Sequence, residues 1–187
     1  MSHAEHPDYQ LIKSEKTIEV RDYPPMIFAE VEVAGPRKQA IREGFKILAD
    51  YIFGNNTSAK KIEKTTPHTG ELSEKIAMTA PVMQEKHIDT WKIKFVMPKK
   101  YKLETLPKPH CKKIRLVLST AKRFAVIRFS GLPSDENIEQ RTEELKSYCL
   151  AKKWILIGDV LLAFYNPPWT LPFLRRNEIM IQIGIHE

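Results

Sequence analysis

The chain has 187 residues, with 30 Lys and Arg against 23 Asp and Glu and a formal charge of +7. That length fits one domain with its own core or two intimately packed half-domains. The 42% hydrophobic and 28% charged content excludes a disordered or fibrous chain, and the basic balance points to anionic partners or to a solvated basic surface.

No apolar run approaches ~20 residues, so no membrane-spanning helix is expected. The start, Met1-Ser2-His3-Ala4-Glu5-His6-Pro7-Asp8, lacks the apolar stretch of a signal peptide. Two cysteines, Cys111 and Cys149, form neither a metal-ligand spacing nor a disulfide framework, and read as free thiols in a reducing, cytoplasmic compartment.

Residues 1–10 read as a polar, flexible tail, and 11–187 as one domain. Lys16-Thr17-Ile18-Glu19-Val20-Arg21 alternates polar and apolar, as a half-buried strand does, and Pro24-Pro25 stops it. A second strand over 26–33 leads to Gly35-Pro36, a helix start. The helix is expected over 36–53. Ile41, Phe45, Leu48 and Ile52 form its apolar stripe, Arg42 and Lys46 keep the flank basic, and Gly54-Asn55-Asn56 ends it. The polar segment 57–75, with Pro67-His68, reads as a functional or mobile loop.

Strands are expected over 76–83 and 91–97, joined by a hairpin, followed by a basic, Pro-rich link over 99–113. Further strands over 114–118 and 124–130 precede a helix over 135–152. That helix has Ser134 as N-cap, Asp135 and Glu136 in its first turn, and Ile138, Thr142, Leu145 and Cys149 facing inward. A strand over 158–165, a rigid Asn166-Pro167-Pro168-Trp169 turn and a strand over 178–185 follow.

The chain reads as written twice. Phe28-Ala29-Glu30-Val31-Glu32-Val33-Ala34-Gly35 and Phe124-Ala125-Val126-Ile127-Arg128-Phe129-Ser130-Gly131 are both apolar-rich strands ending on Gly, each with a Pro shortly after and then a helix. Two similar ββαββ halves, about 11–98 and 112–186, follow from this. The expected fold is α+β: a distorted antiparallel β-barrel of about eight strands with two helices packed against it.

The chain has no Gly-rich phosphate loop, His-Glu-x-x-His helix or nucleophile elbow, and no His pair has metal-ligand spacing within a helix. Adjacent His110 and Cys111 would point to opposite faces of a strand. Neither an enzyme nor a metal site is expected. No strand shows the aromatic–basic alternation of an RNA-binding surface, so no nucleic-acid partner is expected.

What remains is apolar surface with positive charge. Phe45, Tyr51, Met78, Met83, Met97, Phe164, Trp169 and Phe173 suit either a core or a flat hydrophobic ligand. Arg42, Lys46, Arg175 and Arg176 suit carboxylates at its rim, and Arg176 or its neighbour could instead pair with Glu178.

These residues carry a resemblance. Ile18-Glu19-Val20-Arg21-Asp22-Tyr23-Pro24-Pro25, Gly44-Phe45-Lys46-Ile47-Leu48-Ala49-Asp50-Tyr51, Lys75-Ile76-Ala77-Met78-Thr79-Ala80-Pro81-Val82 and Phe95-Val96-Met97-Pro98 resemble, in order, segments of the SOUL haem-binding proteins. So does Tyr165-Asn166-Pro167-Pro168 with Arg175-Arg176-Asn177-Glu178. The resemblance also extends to effector-binding domains of multidrug-responsive regulators.

It implies reversible binding of haem or a related tetrapyrrole, as carrier or buffer, in a groove beside the first helix. Arg42 would hold a propionate with Lys46 nearby, Phe45 would pack on the ring, and the loop near Thr170 would lie opposite. Some family members place a His, proposed as iron ligand, where this chain has Asp22. A carboxylate is a poor axial ligand, so Met78 or His68 would have to serve, or the iron would go without strong ligation. The alternative is a small-molecule effector-binding or protein-interaction module with a non-haem ligand.

Overall fold

Alternation assigns each strand a covered and an uncovered side. The computed structural model describes residues 4–59 and 72–184. The strands are β1 (Gln10–Glu15), β2 (Ile18–Tyr23), β3 (Ile27–Ala34), β4 (Asn56–Thr57), β5 (Val82–Lys86), β6 (Thr90–Val96), β7 (Lys108–Pro109), β8 (Arg115–Leu118), β9 (Lys122–Phe129), β10 (Ile155–Phe164) and β11 (Asn177–Gly184). The helices are α1 (Arg37–Ile52) and α2 (Asp135–Ala151).

Nine strands form one antiparallel sheet in the order β1-β2-β9-β11-β10-β5-β6-β3-β8. The expected barrel is not closed. Among the described residues β1 pairs only with β2, and β8 only with β3, which leaves two free edges. Both edge strands are largely exposed and β8 has four residues, so neither offers a long apolar edge to seal. The small β4–β7 ladder ties the end of α1 to the Pro-rich link. There the buried Asn56 amide donates to the Tyr51 carbonyl (2.7 Å) and the Tyr51 hydroxyl donates to the Pro107 carbonyl (2.8 Å).

Both helices pack on one side of the sheet. α1 covers β3 and β6, and α2 covers β9, β10 and β11. Under α1 lie Ala29, Val31, Ile93 and Phe95; under α2 lie Val20, Ile127, Ile179 and Ile181. Ser134 caps α2 as expected, accepting from the Asn137 amide (3.2 Å). Cys149 is fully buried against the second group, and burial pushes its thiol up to about 11. The alternate residues Tyr23, Met83, Val96, Val126, Ala163 and Met180 form a third apolar cluster on the side without a helix.

Four local readings change. The strand read over 76–83 begins only at Val82. Before it the chain is irregular, with the Ile76 amide donating to the Ile52 carbonyl (2.8 Å), the Thr79 hydroxyl to the Val96 carbonyl (2.6 Å), and Pro81 offering no donor. β10 starts at Ile155 and bulges around Gly158, whose φ is 69°. β1 was not anticipated, because its exposed residues show no alternation of burial. Residues 4–9, read as tail, lie against the sheet: the Ala80 amide donates to the Glu5 carbonyl (2.9 Å), and the Tyr9 ring sits 5.4 Å from that of Tyr23.

The buried stripe of α1 is Ala40, Gly44, Leu48, Tyr51 and Ile52, rotated from the Ile41–Phe45–Leu48–Ile52 stripe read from hydrophobicity. Small residues at 40 and 44 let the helix backbone approach β6. A Cβ on Gly44 would stand 2.6 Å from Cδ1 and 2.8 Å from Cγ1 of the fully buried Ile93. Gly44→Ala should therefore destabilise by about 1–3 kcal/mol, although Ala in a helix is ordinarily better than Gly by about 1 kcal/mol. Chemical denaturation checks this, and a more stable variant would refute the close approach.

Candidate ligand-binding site

Phe45 follows Gly44 by one position, about 100° around the helix, so it sits at the shoulder of the buried stripe rather than in it. It remains 38% exposed and meets Phe95 edge-on, with ring centres 5.4 Å apart. Beside Phe95 the ladders place Val82 and then Phe164 in one row across β6, β5 and β10. α1 is centred on β3 and β6 and α2 on β9, β10 and β11, so this row floors the interval between them.

Arg37 spans one end of that interval. It donates to Asp135 (2.8 Å) and Gln84 (3.2 Å), and its guanidinium lies 5.8 Å from the Trp91 ring centre and 5.9 Å from that of Phe164. A cavity of about 690 Å³ opens there between Pro36, Arg37, Trp91, Asp135, Ile138 and Leu162.

Arg42 and Lys46 are exposed on α1 one turn apart, flanking Phe45, and no ion pair engages either among the described residues. Met78 is 40% exposed in the irregular segment before β5. Thr170 is half-buried in the turn after β10. Its amide donates to the Pro167 carbonyl (3.0 Å) and its carbonyl accepts from Arg175 Nε (2.8 Å). The helix thus brings Arg42, Phe45 and Lys46 together, whereas Met78 and Thr170 come from separate segments. His68 lies outside the described residues.

Several other expectations are resolved. Met83, Met97 and Tyr51 are core. Arg175 holds the carbonyls of its own turn, and Arg176 is bonded to Glu178 and stacked 4.0 Å from the Tyr165 ring centre, so both are spent inside the protein. Trp169, Leu171, Phe173 and Leu174 form an exposed apolar crest on the loop that carries Thr170, with Trp169 83% exposed. Asp22 is engaged by a neighbouring strand. Arg123, its cross-strand partner, grips both oxygens (2.6 and 2.7 Å) and holds the carboxyl below the usual range.

The side without helices holds two features that hydrophobic patterning did not reveal. One is a trough of about 330 Å³ lined by Met26, Met83, Met180, Tyr23, Phe28 and Phe124. The other is a buried ion cluster. Arg21 donates to both oxygens of the fully buried Glu178 (2.9 and 3.0 Å), and Arg176 and the Tyr165 hydroxyl (2.9 Å each) donate to it as well. Burial alone would raise the Glu178 carboxyl, but Arg21 and Arg176 more than reverse this and leave it below the usual range.

A carboxyl lowered on folding stabilises the protein above its unfolded value of about 4.3 and loses that contribution as pH falls through the folded one. Glu178→Gln should cost about 3 kcal/mol at neutral pH by leaving the buried Arg21 with only the partly exposed Glu19 (2.6 Å) as counter-ion. It should also flatten the stability profile below about pH 4.3. Urea unfolding of both proteins across acid pH checks this, and equal slopes would refute it.

With this geometry in view, comparison with known families gives one match: the model described as SOUL heme-binding protein, over residues 4–182. The chain belongs to the SOUL family. No curated protein sequence matches it. Among solved structures it is similar to the EcmrR C-terminal domain, at 13% identity and TM-score 0.63, covering 94% of this chain and 98% of that one. It is also similar to a hydrolase from Listeria innocua, at 12% identity and TM-score 0.58, covering 92% and 94%. These likenesses show a shared fold. The family supports haem as a ligand in general terms, and no helix among the described residues is long and apolar enough to cross a membrane.

Proposed function

We propose that this SOUL-family protein binds haem or a related tetrapyrrole reversibly, as a carrier or buffer, in the groove beside α1. The observation that carries the reading is the exposed Phe45 ring, set on Phe95 and flanked by Arg42 and Lys46, which no acidic partner occupies among the described residues. A flat apolar disc would stack on Phe45, and Arg42 and Lys46 would meet its propionates by charge-assisted hydrogen bonds.

Met78 would stand near the ring, and the apolar crest around Thr170 would close the far side. With Asp22 engaged by Arg123, the iron would be held weakly or without a strong protein ligand. The binding is non-catalytic. The free thiols of Cys111 and Cys149 go with a cytoplasmic setting. The two-copy reading belongs to the same proposal: outward from the β5–β10 pairing, the strands run β5-β6-β3-β8 one way and β10-β11-β9-β2 the other, with β1 added at that edge.

A second reading has its own support. The Met-lined trough on the side without helices would suit an apolar small molecule, making the domain an effector-binding module with a non-haem ligand.

Titration with haemin, followed by Soret absorbance and repeated with iron-free protoporphyrin, separates the two. Saturable uptake of both rings, weakened about tenfold or more by Arg42→Glu and by Phe45→Ala, is expected for the groove. Unsaturable uptake indifferent to Arg42 would overturn it. Loss of uptake in a trough variant, Met180→Lys, with Arg42→Glu unaffected, would move the site to the other side of the sheet.

A further inference from the structure

Metal-ligand spacing exists in this chain on β-structure rather than on a helix. Glu85 and His87 are two positions apart at the end of β5, so their side chains leave the same side of the strand. Leu161 of β10 pairs with Glu85, and continuing that antiparallel ladder by two residues sets Asp159 across from His87. The β10 bulge lies at this place, with Gly158 in the left-handed region. Bulges re-aim side chains, and Asp159 Oδ2 stands 3.3 Å from His87 Nδ1.

On the other ring nitrogen, Glu85 Oε1 is 4.0 Å from His87 Nε2, too long for a hydrogen bond. One donor atom from each of the three residues lies within 4.8 Å of the other two.

Two further observations favour a ligand here. His87 Nε2 is buried and has no hydrogen-bond partner among the described residues, which is uncommon and calls for an explanation. The two Glu85 oxygens have different neighbours: Oε2 is bonded to Lys94, leaving Oε1 for the site. Burial would raise the Glu85 carboxyl, but Lys94 and then Lys92 hold it below its usual range, so it is an anion at neutral pH. Asp159 is 55% exposed, which leaves room for water in a coordination shell.

We propose that Glu85, His87 and Asp159 form a binding site for a first-row divalent transition cation such as Zn²⁺, each residue giving one donor atom and water completing the shell. With bonds of about 2.0–2.1 Å, the ligand atoms of a tetrahedral zinc stand about 3.3 Å apart. His87 gives the ion a single ring nitrogen, and with the three donor atoms within 4.8 Å of one another the side chains have to close by up to about 1.5 Å. The imidazole selects transition ions over Mg²⁺ and Ca²⁺, which prefer all-oxygen shells. The site does not use Arg42, Phe45 or Lys46, although His87 also lines the cavity at the Arg37 end of the interval.

The test is a titration of the metal-free, haem-free full chain with ZnCl₂ by calorimetry and with CoCl₂ by visible ligand-field absorption. One saturable site is expected to weaken about tenfold or more in His87→Ala and in Asp159→Asn, to lose its Co²⁺ bands in His87→Ala, and to be unmoved by excess Mg²⁺ or by His110→Ala. Circular dichroism of each variant establishes that it is folded, and the exposed Asp159→Asn keeps the test decisive should His87→Ala not fold. No saturable binding, or binding unchanged in both site variants, would overturn the proposal. A His87 that merely takes up a proton between two carboxylates would give no Co²⁺ bands and would overturn it as well.

Discussion

The short ladder of β5 against β10 is the constraint on which the rest of the molecule depends. It joins two groups of strands that are otherwise complete, and its register sets what lies above and below it. Val82 and Phe164 turn upward into the interval between the helices, while Met83 and Ala163 turn downward into the third core. A slip of one residue would exchange these two sets and put Glu85 into an apolar floor. The interval exists because each helix is centred on its own group of strands and neither can also cover the joining one.

That arrangement sorts the charged groups by job. Arg21 and Arg176 neutralise Glu178 inside the sheet, and Arg175 satisfies carbonyls of a turn. Arg37 bridges the two helices through Asp135. The cations left over on α1, Arg42 and Lys46, stand beside an aromatic ring that the packing of Gly44 against Ile93 has pushed to the shoulder of its helix. A small residue chosen for close packing is thus the reason a large one is left facing outward.

Local signals were legible in the sequence. The alternation in β2, β3 and β9, the Ser134 cap and the Gly54 stop all act within a few residues, and each is where the pattern put it. Closure of the sheet was not legible, because it depends on whether β1 meets β8, and no short-range pattern encodes that pairing. The face of α1 was misread because Gly44 counts as non-hydrophobic although Ile93 buries it. Pro81 delayed β5 within a segment that otherwise reads as strand.

At the site, the Arg42–Phe45–Lys46 triplet was visible because one helix carries it. The fates of Arg175 and Asp22 were hidden, since their partners are backbone carbonyls in one case and a residue on another strand in the other. Glu85 and His87 lack helical metal-ligand spacing, and their two-residue interval is the β-strand equivalent.

Each group of strands takes in a strand from a distant part of the chain. β2, from early in the chain, lies beside β9, and β8, from its second half, lies beside β3. During synthesis, the strands emerging first therefore have no complete sheet to join: β3 lacks one neighbour until β8 appears, and β2 waits for β9. Assembly has to close loops of roughly a hundred residues before either group is whole, and such long-range closure slows folding. The same interlacing means that a nick in the basic 99–113 link would sever the chain without releasing two separate bodies, because each fragment would still be stitched into the other by a strand.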